Sequence, residues 1–261
     1  MTTASTTTAS GGARAVHTEA TPGVNLPAPP RSLPARVLGV IVSPRATYAD
    51  VAARPRWLGM FAFVLLVGMA ATYGFLSTEV GQQAALDNQI RQMEAFGRQI
   101  SDARYQRMEQ MAPYSKYFGA GFQLVVTPLS ALIVAGLALA VFNAGLGGDG
   151  TFKQVFSVVT HYSGVILTVS GLFNLPLAYA RGSLAGATNL AVFAPFLDET
   201  SFAARLLGAV DLFIIWWIVS LAIGLGVLYR KRTGPIATTL IVVYVAIGVV
   251  IAAFKVAASG A

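Results

Sequence analysis

Five apolar runs, each about as long as a helix must be to cross a bilayer, restrict this chain more than any other feature. They occupy 57–76, 118–142, 155–180, 206–229 and 235–254. A hydrocarbon core roughly 30 Å thick takes about 20 helical residues. The runs are continuously apolar, whereas a barrel strand of about 10 residues alternates lipid-facing and lumen-facing positions. A helix also pairs its own backbone groups, which lipid cannot do. The pattern predicts an all-α polytopic membrane protein built as a bundle of five transmembrane helices. Pro128 and Pro176 lie inside runs and predict kinks.

Composition agrees and removes other classes. Of 261 residues, 55% are hydrophobic and 11% charged, against about a quarter charged in ordinary globular domains. Neither a soluble domain with a charged shell nor a disordered chain has this balance. With no cysteine there is no disulfide framework, thiolate zinc site, iron–sulfur cluster or cysteine nucleophile. The net charge of +7 does not mark a nucleic-acid binder, because it sits in short connections beside the apolar runs.

Those connections predict orientation. Arg14, Arg31, Arg36, Arg45, Arg54 and Arg56 precede the first run, Lys153 follows the second, and Arg230, Lys231 and Arg232 follow the fourth. The other side has Arg181, Arg205 and Lys255, plus a 77–117 connection whose bases are matched by acids. The positive-inside rule then places the protein in the cell membrane with its N-terminus cytoplasmic and its C-terminus outside. The Ser/Thr/Ala/Gly/Pro-rich leader predicts a disordered cytoplasmic tail over 1–32 and no cleavable signal peptide.

Residues 33–56 read as two short helices. Leu33, Val37, Leu38 and Ile41 share a face, and Ser43–Pro44 has the form of an N-cap with proline at the first helical position. Flanking arginines predict amphipathic helices lying on an anionic inner leaflet. Residues 77–117 predict an extracytoplasmic helical insertion, broken near Gly97, with acid-first pairs at Asp87/Arg91 and Glu94/Arg98. Its apolar stripe serves either packing over the bundle or a protein partner or second copy.

Within the spans, Ser157, His161, Gly164, Thr168 and Gly171 fall on one side of the third helix, with Asn174 nearby. Small and hydroxyl residues in a stripe predict a helix-packing seam at Ser157, Gly164, Thr168 and Gly171. An intramembrane ionisable group such as His161 also admits a transport path or proton relay. Asp211, near the outer end of the fourth run, predicts a structural pairing with Lys255 or with loop backbone, with an ion ligand as the alternative. The glycine-rich stretch 145–150 lacks the strand and Gly-Lys-Ser/Thr ending of a phosphate loop and predicts a tight turn. No metal cluster, cofactor motif or catalytic constellation is evident, so no enzyme and no cofactor are expected.

Three stretches carry a resemblance. SPRATYADVAARPRW (43–57), GTFKQVFSVVTHYS (150–163) and VDLFIIWWIVSLAIGLG (210–226) occur in the order and spacing of bacterial Yip1-domain proteins. The chain resembles that family over about 34–255. The resemblance implies an integral membrane protein, of the bacterial inner membrane, without known catalytic activity. Eukaryotic relatives are linked to vesicle trafficking and bind Rab GTPases. The balanced 77–117 insertion departs from that pattern. The function expected is a non-enzymatic membrane organiser or adaptor that recruits partners; the alternative is a small transporter or channel using the third-helix stripe.

Overall fold

The computed structural model describes residues 31–184, 186, 188–198 and 201–259, within a compact unit running from Arg31 to Ala261. The tail expected over 1–32 falls outside the described residues as far as residue 30. Ten α-helices follow one another: α1 Leu33–Val42, α2 Pro44–Ala53, α3 Leu58–Leu76, α4 Glu79–Ala95, α5 Asp102–Met111, α6 Ser115–Leu139, α7 Phe152–Arg181, α8 Phe202–Ala209, α9 Leu212–Leu228 and α10 Thr233–Ser259. A π-helical turn, Ala140–Gly145, ends α6. Among the described residues the only β pairing is one bridge between Asn189 and Asp211.

The helix α7 sits at the centre. It packs against α3, α6 and α9, while α10 lies on the far side of α9 and α2 lies over α7 and α9. Its Val155, Val158, Val159, Tyr162 and Val165 are fully buried, so the half of the helix holding them is enclosed on every side. A Thr151/Gln154 capping box starts α7 and Gly182, at φ +58°, ends it. By contrast, α6 and α10 expose Phe122, Leu129, Leu137, Val243, Ile247 and Val250 along their outer sides. Apolar surface of that extent faces lipid or a partner, not water.

Four segments are long and apolar enough to cross a membrane: α3, the stretch Asp102–Gly145 holding α6, α7, and α10. The span expected at 206–229 is not one helix. The chain breaks at Val210–Asp211, leaving α8 and a 17-residue α9. Asp211 causes the break by capping α9: its Oδ1 accepts from the amides of Phe213 (2.7 Å) and Ile214 (3.2 Å). The Tyr244 hydroxyl of α10 serves the freed groups, donating to the Ala209 carbonyl at 2.7 Å and accepting from the Asp211 amide at 3.0 Å.

One end of the bundle gathers the α2–α3 connection, the 146–151 loop and the turn after α9. Gln154 there donates to the Ala52 carbonyl, and the Tyr229 hydroxyl to Asn143. The glycines of that loop answer to Tyr229. A Cβ on Gly148 or Gly150 would stand 2.7 Å from Tyr229 side-chain atoms, and Gly147 adopts φ +65°. The opposite end gathers α4, α5, the described residues of 182–211 and the last turns of α10. There Arg91 donates to Ser183, and the Phe96 and Phe254 rings lie 6.0 Å apart.

The insertion breaks where expected, at Gly97 with φ +74°. Neither acid-first pair forms among the described residues. Asp87 accepts instead from Gln83 at 2.9 Å, and Arg98 lies beyond the last turn of α4. For Glu94 and Arg98, the geometry that makes i,i+4 neighbours is lost once the helix stops.

Candidate functional site: a polar linkage under the first two helices

The pair α1–α2 crosses closely at Gly39, where a Cβ would fall 2.3 Å from Thr47 Oγ1. That approach brings Arg36 of α1 opposite Asp50 of α2. The Arg36 Nε donates to Asp50 Oδ2 at 3.1 Å, and its Nη2 stands 3.0 Å from the same oxygen. Arg54, one turn on, places Nη1 3.8 Å from Asp50 Oδ1. The Arg36 Nη1 then reaches across to His161 Nε2 on α7, at 3.5 Å.

The other ring nitrogen fixes the tautomer. His161 Nδ1 lies 2.7 Å from the Ser157 carbonyl, which can only accept. The hydrogen is therefore on Nδ1, and Nε2 offers its lone pair to the guanidinium. Carboxylate, guanidinium, imidazole and backbone carbonyl form one chain of contacts joining α2, α1 and α7. Arg36 is 3% exposed and His161 1%. The Ser157 Oγ is buried with no hydrogen-bond partner.

A second attachment lies beside it. Tyr48 of α2 is fully buried and shares a hydrogen bond with Ser220 of α9. Burial pushes its hydroxyl well above the usual tyrosine range, against a smaller opposing pull from Ser220, so it stays protonated. Tyr48 also touches the place where a Cβ on Gly224 would sit. Two short helices are thereby wedged onto the bundle.

Arg36, one of the arginines that flank these helices in the sequence, is buried and spent on Asp50 and His161. Ser43 stands at the N-cap position of α2 with Pro44 opening the helix, as the sequence indicates, but its side chain makes no capping hydrogen bond. The exposed apolar side of α1 is instead Leu38, Ile41 and Val42, at helical spacing. Sequence reasoning missed Asp50. Its signal was there: it is the lone acid among the arginines of 31–56.

The other predicted residues separate. At Gly164 a Cβ would meet Val64 Cγ2 at 2.3 Å, so α3 and α7 touch there. At Gly171 a Cβ meets nothing within 4 Å. Gly171 and Thr168 line a cavity of about 80 Å³ between α3, α6 and α7. The expected seam therefore closes at Gly164 and opens at Gly171. Asn174 bonds back to Ser170, from Nδ2 to the carbonyl at 3.0 Å. It meets Asp211 and Thr188 across a cavity of about 140 Å³. Asp211 accepts from Thr188 Oγ1 as well as capping α9.

The expected Asp211–Lys255 pair does not form. The α9 cap and Thr188 occupy the Asp211 carboxylate, and Lys255 Nζ lies 5.4 Å over the Phe96 ring. Among the described residues no three or more His, Asp or Glu side chains gather as metal ligands would.

Long apolar helices, an apolar outer surface and polar side chains turned inward define an integral membrane helix bundle. The chain belongs to the Yip1-domain family: the Yip1 domain matches residues 38–254. No curated protein and no solved structure matches the chain.

Proposed function

We propose that this Yip1-domain membrane protein is a non-enzymatic organiser or adaptor, which recruits partners or shapes the bilayer through one basic end. The observation that carries the proposal is the use made of His161. It is enclosed, and both ring nitrogens join the linkage that holds the first two helices, which is an architectural task. The basic end supports the same reading. Arg45, Arg56, Lys153, Arg230, Lys231 and Arg232 are all exposed there. Such a cluster is attracted to anionic lipid by about 1 kcal/mol per nearby charge.

In this proposal the N-terminus is cytoplasmic, α9 completes a fifth crossing, and the C-terminus lies outside, in the cell membrane. The test is proton flux in liposomes holding the full chain, beside His161→Ala. The adaptor reading expects no flux above empty liposomes in either. Reproducible flux in the parent, abolished in His161→Ala, would replace it with a transporter.

A further inference from the structure

At the end away from the basic cluster, α4 roofs a cleft of about 890 Å³. Its floor is apolar: Phe122 of α6, Phe254 of α10, and Met93 and Phe96 from the end of α4. Gln89 and Arg98 border it from the polar segment, and no carboxylate lines it. Phe122 and Phe254 are 70% and 59% exposed, although they stand on helices that are otherwise apolar membrane spans. The lining therefore changes from aromatic to polar in the direction in which a bilayer changes from acyl chain to headgroup.

Two cations stand at this boundary. Arg98 lines the cleft, and Lys255 lies over the ring of Phe96. Neither forms an ion pair among the described residues. The break at Gly97 carries Arg98 past the end of α4, away from an i,i+4 pairing with Glu94. Two unneutralised cations over an aromatic slot, at the end of two membrane helices, complement one kind of molecule: a phosphate monoanion carrying acyl chains.

We propose that this cleft binds an anionic phospholipid, with its phosphate between Arg98 and Lys255 and an acyl chain along Phe122 and Phe254. The site is separate from the basic end and from the His161 linkage, and it does not depend on the adaptor reading.

The test uses the full chain in nanodiscs with a trace of phosphatidylglycerol bearing a photoreactive acyl chain, followed by mapping of labelled peptides. Label is expected on the segments holding Phe122 and Phe254. Unlabelled phosphatidylglycerol should compete and phosphatidylcholine should not. Arg98→Gln and Lys255→Gln should each lower labelling of those two segments about fivefold, while Arg45→Gln/Arg56→Gln, whatever it does to labelling at the basic end, leaves labelling of those two segments unchanged. Phe122 is 70% exposed and outside the buried core, so Phe122→Ala should lower it independently, which covers the case of a charge variant that fails to fold. Equal competition by phosphatidylcholine, equal loss in the Arg45/Arg56 variant, or competition by water-soluble glycerol phosphate would overturn the proposal.

Discussion

One missing β-carbon sets how closely α3 and α7 approach. Gly164 has Val64 where its Cβ would be, so Gly164→Leu forces the two helices apart and should cost about 1–3 kcal/mol. Gly171, on the same side of the same helix, has nothing within 4 Å of its Cβ position and borders the cavity of about 80 Å³, so Gly171→Leu should cost less than Gly164→Leu. Thermal unfolding in detergent checks both; equal losses would mean that the stripe packs along its whole length. His161→Ala should be milder than Gly164→Leu. Arg36 keeps Asp50 when the imidazole goes, and transmembrane hydrogen bonds average only about 0.6 kcal/mol.

Between elements, the buried ion pair decides whether α1 and α2 stay on the bundle. Arg36→Met takes from Asp50 its nearer partner, leaving Arg54 at 3.8 Å, and should cost up to about 3 kcal/mol, whereas Arg36→Met with Asp50→Leu should recover much of the loss. Limited proteolysis of 31–56 together with the unfolding midpoint measures it. A double variant no better than the single one would show that the pair is not coupled. The break before α9 is a separate matter of capping. Asp211→Ala removes the acceptor for Phe213 and Ile214 and should cost about 1 kcal/mol, while Asp211→Asn keeps most of the cap. Equal unfolding midpoints for the alanine and asparagine variants would count against the cap as the source.

For the molecule as a whole, the testable property is which end faces the cytoplasm. The chain holds no cysteine, so single cysteines at Gln99 and Thr233 give a clean background. An impermeant thiol reagent on intact cells should label position 99 and spare position 233. The reverse would turn the protein over and move the basic end outside. Both ends exist regardless of orientation. The Tyr229–Asn143 bond closes one, and the Phe96–Phe254 contact closes the other.

Apolar length and period were legible without coordinates because they depend on residues near in sequence. The helix bundle, the break at Gly97 and the tight glycine turn all follow from such local signals. The partners of charged residues were not legible, because they depend on which side chains the fold brings within a few ångströms. Arg36 reads as a lipid-facing base until α1 crosses α2 at Gly39 and presents it to Asp50 and to His161, 125 residues away. Asp211 reads as a charge inside a span, since its neighbours on both sides are apolar. Only Tyr244, arriving from α10, and Thr188, from the preceding loop, supply the groups that let the chain break there. That a segment is a helix apolar enough to cross a membrane is a property of its own composition; which helix is enclosed, and what a buried charge pairs with, belong to whatever the tertiary structure sets beside them.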